Sequence, residues 1–511
     1  MFSDFVRDRP YVVILLLAAL STVPLLSPSL PPLTDLFGHI GRYRVQLDLA
    51  NDPVLQRYYG FEWALIGNLG VDLLVQVIAP LIGLEPAVKL IVIAVIALTT
   101  AGFLLLSYEV HGRIGAAAFF ALPLAYSAPF QFGFVNYCLS MALAFLAFAL
   151  WIRLGKAERT GLRLLLFVPI SFFIWLAHIS GWGALGLFAF AAELTRMRDA
   201  RNRWFIAIIK SGLHCMPLAI PILIMVFSQS SSGDINAEDW FNWATKYEWV
   251  IASLRDRWQG FDIASVTVLL LIIAVAIVLA DLRFNATLAF AALLLGVTFL
   301  IMPRILFGSA YADMRLAPYA IALGVLAVEI KSDVNLWLRR GLIAGGLLFF
   351  SARTIATTES FRRFDIMINN ELAALNSIPK GALVAALISR GCVPIWMFER
   401  RSHIPSFALV RRRAFVNDQF ILSGAQLLQI RYKGAAGFDR DPSQFMTGAA
   451  CVRNDWRSIE QAMAILPRNA FDYIWLIGTP EDKIFDAPGL SAVWRNKGSI
   501  VYRIDRQNAA H

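Results

Sequence analysis

Residues 61–84, FEWALIGNLGVDLLVQVIAPLIGL, decide the topology of this 511-residue chain. The stretch is apolar enough to cross a bilayer, yet it carries Glu62, Asn68 and Asp72. Whether it crosses sets the side of every later loop. Charge decides the matter, because Lys and Arg of short loops are held on the cytoplasmic side of a membrane. If 61–84 does not cross, one side collects Arg7/Arg9, Arg113, the run Arg153/Lys156/Arg159/Arg163, the run Arg196/Arg198/Arg201/Arg203, Arg283 and Lys331/Arg339/Arg340. The opposite turns near 129–136, 179–181 and 228–245 then contain no Lys or Arg. If it crosses, every later basic loop flips outward against Arg7/Arg9. A helix lying on or dipping into the outer surface is therefore expected.

Composition supports the same frame. Hydrophobic residues make up 58% of the chain and charged residues 16%, against roughly 25% charged in a soluble domain. The apolar residues gather into blocks of about 15 to 25, long enough at 1.5 Å per residue to cross a hydrocarbon core about 30 Å thick. Candidate spans fall near 11–27, 88–107, 114–128, 137–152, 163–178, 181–194, 204–227, 263–280, 285–302, 316–330 and 341–355. The run Tyr11–Leu26 follows Arg7 and Arg9 without a small-residue cleavage site, so it reads as a retained first span. The formal charge of +10 sits in short clusters between apolar blocks, where it reports orientation rather than nucleic-acid binding.

The expected fold is an all-α polytopic membrane protein of about eleven transmembrane helices with a small C-terminal α/β domain. Residues 1–356 form the transmembrane domain, with a first outer loop over 28–87. Residues 357–511 form the soluble domain, outside the cell membrane and in a bacterium periplasmic, with the N-terminus cytoplasmic. From about 379 onward, β-like runs GALVAALIS, SFALVRR, DYIWLIG and GSIVYRID alternate with polar stretches and a helical pattern near 456–466. Cys392 and Cys451 share this domain and can pair if it lies in an oxidising compartment. Cys138 and Cys215 read as buried apolar fillers. SQSSSGD at 228–234 reads as a flexible outer loop, and the following Trp240, Trp243, Trp249 and Trp258 suit an interfacial helix. There is no internal repeat, nucleophile-elbow serine, phosphate-binding glycine loop with Lys, or zinc-binding helix motif.

Polar groups at the rim of a bilayer cost free energy and mark candidate sites. In the first outer loop, PPLTDLFGHIGRYRVQLDLANDP, Thr34 is a plausible N-cap for a helix from Asp35. Such a helix puts Asp35, His39 and Arg42 on one face. A carboxylate and an imidazole so placed can share a proton or a metal ion; an ordinary amphipathic helix is the alternative. Asp48 and Asp52 are expected to be solvated. Asn136 and Tyr137 fall at the mouth of a span in FQFGFVNYCLSM, where a helix cap is the alternative. His178 and Trp182 occupy the next outer turn, LAHISGWG. Asp313 and Arg315, in AYADMRLAPYA, are two apart and so should not pair on a helix face. Arg304 lies nearby, and outer arginines beside an apolar groove suit a lipid phosphate or pyrophosphate, with headgroup contact as the alternative.

These features resemble the GT-C class of integral membrane glycosyltransferases, which includes lipid-linked-sugar-dependent mannosyl and aminoarabinose transferases. The likeness rests on a first span followed by an outer loop with an acid (TDLFGHIGRYR), then a surface helix (WALIGNLGVDLLVQVIAPLIG). It continues in NYCLSMALAF with AHISGW, and in ADMRLAPYA before a late span and an outer C-terminal domain. It covers residues 1–355 as architecture. The resemblance implies a polyprenyl-phosphate sugar as donor and Asp35 as general base or metal ligand. Many members carry an adjacent acidic pair, whereas Leu36 follows Asp35 and His39 is the nearest partner, so metal dependence stays open. The expected chemistry has Asp35, helped by His39, taking the acceptor proton, and Arg304 or Arg315 stabilising the departing phosphate. The competing readings are a transporter or flippase of lipid-linked sugars, whose midplane would carry polar or broken helices, and a non-catalytic protein with envelope polysaccharide assembly partners.

Overall fold

The computed structural model describes residues 9–227, 237–306, 309–331, 336–392, 395–422, 424, 426–447, 456–481 and 488–506. Arg7, the loop 228–234 and Cys451 lie outside the described residues. The chain divides into two compact units. One comprises residues 1–27, 65–74 and 90–360; the other comprises 28–64, 75–89 and 361–511. Residues of the first loop, grouped by sequence with 1–356, thus cluster with the C-terminal segment.

The first unit is helical. Five helices are long and apolar enough to cross a membrane: Leu84–His111, Val135–Lys156, Thr160–Ala177, Gln259–Val278 and Leu336–Ser377. A sixth crossing is added if Trp204–His214 and Met216–Val226, bent by 55°, count as one span. Their outward residues are apolar, with Leu165 71% and Val278 84% exposed, a surface that needs lipid rather than water. Five helices, or six if the bent pair counts as one span, thus have the length and composition that suit a membrane-embedded protein.

Several other expected spans are shorter or broken. Pro10–Ser21, Ala286–Ile301 and Ala317–Ala327 are apolar helices of fewer than 18 residues. Residues 114–128 do not form one helix. They divide into Ala118–Ala121, a 3-10 turn over Leu122–Tyr126 and the start of Ala128–Phe132, because Pro123 and Pro129 each remove a backbone donor. The deciding stretch forms the helix Gly70–Ile82, 13 residues long, which at 1.5 Å per residue reaches about 20 Å. That falls short of a hydrocarbon core.

The second unit is built on a six-stranded sheet. Its order is Leu490–Asn496, Ser499–Ile504, Tyr473–Ile477, Leu383–Arg390 and Phe415–Val416, with Phe445–Thr447 also paired to Leu383–Arg390. Leu383–Arg390 runs parallel to Tyr473–Ile477, with Val384 opposite Tyr473. Ser499–Ile504 returns antiparallel, with Tyr502 opposite Ile474. Gly498, at φ 75°, closes the last hairpin in a backbone region that suits glycine. Three of the four β-like runs are strands, and the pattern near 456–466 is the helix Ile459–Ile465. SFALVRR is instead the helix Ser406–Arg412, ended by Arg413 in the left-handed region. Its Ala, Leu and Arg favour helix, and it is apolar over consecutive positions because every residue from Ser406 to Val410 is buried.

First-loop residues share this unit's core. Val45, Leu55 and Tyr59 pack in one buried cluster with Ala385, Leu409 and Phe415. Tyr59–Phe61 adds a short antiparallel pairing with Leu428–Ile430. Cys392 is disulfide-bonded, and Cys138 and Cys215 are free thiols.

Candidate functional site

In the second unit, the helix Leu36–Asp48 presents the first-loop acid. Its N-cap is Asp35, one residue later than expected, and the Asp35 side chain makes no capping bond. Thr34 is buried instead. His39 follows one turn on, its backbone N–H donating to the Asp35 carbonyl at 3.0 Å. The imidazole beside the Asp35 carboxylate is that of His403, with Nε2 3.9 Å from Oδ1. His403 was not anticipated from sequence, although it is one of only six histidines in the chain.

Two glycines let this contact form. A Cβ at Gly38 would stand 2.9 Å from Phe420 Cε1 and 3.2 Å from His403 Cγ. One at Gly41 would stand 2.5 Å from Gln419 Nε2. The helix offers a bare stripe at i and i+3, and the segment Asp418–Phe420 lies against it. Phe420 makes edge-to-face contacts with both imidazoles, at 5.3 Å from His39 and 5.4 Å from His403.

His403 is fixed from behind. Its Nδ1 lies 3.0 Å from the Asp418 carbonyl oxygen. A carbonyl can only accept, so Nδ1 carries the proton and Nε2 of the neutral ring is a bare acceptor on the Asp35 side. Burial lowers the His403 pKa, against the pull of Asp441 and the Asp418 carbonyl, which keeps the ring neutral. Burial, with Arg42 and His403 nearby, pushes His39 well below its usual value. Asp418 is fully buried and accepts from Ser406 Oγ at 2.7 Å. Burial outweighs that bond and raises its pKa to about 7.

Arg42 is buried, its guanidinium 4.9 Å from the Tyr43 ring, a placement suited to packing rather than to an exposed anion site. Asp48 and Asp52 are not simply solvated. Both carboxylates bind Arg413, which donates from one nitrogen to Asp48 and from Nε to Asp52 at 3.1 Å.

The remaining candidates belong to the first unit. Asn136 caps no helix of its own. Its side chain accepts from Val71 N–H at 2.6 Å and donates to the Asn68 carbonyl at 2.9 Å and to Asp72 at 3.0 Å, stapling the start of the helix Gly70–Ile82. Tyr137 donates to the Arg315 carbonyl, and its ring stands edge-on to His178 at 5.5 Å. His178 is the N-cap of Ile179–Asp199, its Nδ1 accepting from Ser180 N–H at 3.1 Å. Trp182 donates to the Leu218 carbonyl at 2.7 Å. The Arg315 guanidinium lies 4.3 Å from the Phe134 ring and 5.8 Å from the Tyr137 ring. Asp313 pairs with buried Lys246 at 2.9 Å rather than with Arg315, and Arg304 pairs with Asp239 at 3.3 Å. The first unit thus brings Tyr137, His178 and Arg315 together and commits Asn136, Trp182, Asp313 and Arg304 to other partners.

Among the described residues, no group of three or more His, Cys, Asp or Glu side chains is arranged to hold a metal ion. No family model and no curated protein matches this chain.

Proposed function

We propose that the chain is a membrane glycosyltransferase of GT-C-like architecture that moves a sugar from a polyprenyl-phosphate-linked donor to an extracytoplasmic acceptor. In this reading it has about eleven crossings in a bacterial inner membrane and a periplasmic C-terminal domain. The supporting observation is the Asp35 carboxylate, one quarter exposed, 3.9 Å from the bare Nε2 of buried His403. Asp35 accepts the proton of the acceptor hydroxyl as its oxygen attacks the anomeric carbon of the donor. Polyprenyl phosphate departs with the bonding electrons. His403 then takes the proton from Asp35, and the Asp418 carbonyl bond to Nδ1 holds the resulting imidazolium in place. His39, the partner expected from spacing, packs the wall of the site through Phe420.

The test is release of polyprenyl phosphate from synthetic polyprenyl-phosphate hexose and pentose donors by purified full-length protein in lipid vesicles. Asp35→Asn should lower release by about 10²- to 10⁴-fold, the range of general base catalysis. Undiminished release from a well-folded Asp35→Asn protein, or none from any donor with the wild type, rejects the reading.

A further inference from the structure

The sheet unit contains a cavity of about 320 Å³ lined by Asp439, Arg440, Asp441, Phe445, Trp456 and Arg457, among others. It lies where the loop before Phe445–Thr447 enters the sheet. That strand runs parallel to the last residues of Leu383–Arg390, with Phe445 opposite Ile388 and Thr447 opposite Arg390.

Its chemistry is selective. Two carboxylates face two guanidiniums, so an anion would meet Asp439 and Asp441, and a cation would meet Arg440 and Arg457. Asp439 already holds Arg440, and Asp441 accepts from Gln444 at 2.6 Å, which fixes the loop without adding net charge. A neutral polyhydroxylated molecule can use donors and acceptors together. Phe445 and Trp456 supply apolar surface, with ring centroids 5.8 Å apart. The Arg390 guanidinium, 3.6 Å from the Phe445 centroid, braces them. Rings beside paired hydrogen-bonding groups match a pyranose, which has C–H faces and a hydroxyl rim.

The cavity also connects to Asp35. The Asp441 N–H donates to the Gln419 carbonyl at 3.0 Å, and Asp418–Phe420 is the segment that packs on the Asp35 helix and holds His403. We propose that this cavity binds a neutral saccharide that is the acceptor glycan of the transfer; its acceptor role, though not the binding, rests on the function proposed above.

Saturation-transfer NMR on the full chain in detergent micelles tests it, with glucose, galactose, mannose, N-acetylglucosamine and their β-linked disaccharides as probes. At least one probe should receive saturation at its ring C–H protons. The signal should be lost in Trp456→Ala and in Arg457→Ala, both read beside thermal melts that certify folding, and kept in Asp35→Asn. Absence of signal for every probe, or a signal that survives both substitutions, overturns the site. Binding that persists while Asp35→Asn transfers sugar normally upholds the site and removes the proposed chemistry. Asp35-dependent transfer without saccharide binding does the reverse.

Discussion

His403 Nε2 stands 3.9 Å from Asp35 Oδ1 across 368 positions of sequence, its other nitrogen committed to the Asp418 carbonyl. Such an imidazole accepts a proton only while neutral, and burial keeps it so down to acidic pH. Wild-type transfer should therefore have an acidic limb where His403 becomes charged. His403→Gln can preserve a donor to the Asp418 carbonyl but cannot take up the proton. We expect a roughly 10- to 100-fold fall in kcat with KM for the donor little changed, and a change in the shape of the acidic limb of the pH profile. A variant profile identical in shape to the wild type would leave His403 a packing residue.

Gly38 and Gly41 are predicted to be needed for fit rather than flexibility. Glycine inside a helix is destabilising relative to alanine by roughly 0.5–1 kcal/mol, so on propensity alone either Gly→Ala change should help. Here a new methyl meets Phe420 or Gln419 inside van der Waals distance, and Gln419 is buried and bonded to Ser406 at 2.7 Å. Overpacking of this kind costs about 1–3 kcal/mol. Both variants should melt below wild type in detergent. A raised Tm in either would show that the segment 418–420 yields freely.

These glycines mark the limit of what the sequence discloses. TDLFGHIGRYR displays Asp35 and His39 through helical spacing, and the strands GALVAALIS, DYIWLIG and GSIVYRID are visible because β-rich apolar runs are local. The contact of Asp35 with His403 is not local. Nothing near residue 35 signals a partner at 403, and the Gly38/Gly41 stripe acquires meaning only once something packs on it. SFALVRR misleads for a related reason: complete burial erases the periodicity that separates helix from strand. Arg413 and Arg304 look like unattached charges in sequence because their partners, Asp48 and Asp52 for one and Asp239 for the other, are distant in sequence.

Arg413 allows two effects to be separated. It sits at φ 55°, where a non-glycine side chain is strained by about 1–2 kcal/mol, and it holds the partly buried Asp48 and Asp52. Exposed ion pairs contribute about 0.2–1 kcal/mol each. Arg413→Ala loses the pairs and keeps the strain; Arg413→Gly loses the pairs and relieves it. Thermal melts should rank wild type above Arg413→Ala, with Arg413→Gly between them or near wild type. Arg413→Ala matching Arg413→Gly would mean the backbone is not strained there.

Asp418 gives a pH dependence of definite sign. Its folded pKa, about 7, exceeds the roughly 3.9 of an unfolded aspartate, so between those values the folded protein binds more protons than the unfolded one. By linkage, the contribution of Asp418 to stability is full below about pH 4, declines as pH rises to about 7 and is flat above. His403 and His39, held neutral by burial, act oppositely, adding stability as pH rises toward about 6.5. The whole-protein profile therefore mixes slopes, and the difference between wild type and Asp418→Asn isolates one of them. Asparagine does not titrate and can still accept from Ser406 through its amide oxygen. The wild-type advantage in Tm should shrink steadily from pH 4 to 7 and then stay constant. A difference that is independent of pH, or that grows with pH, would show that Asp418 is ionised within the fold.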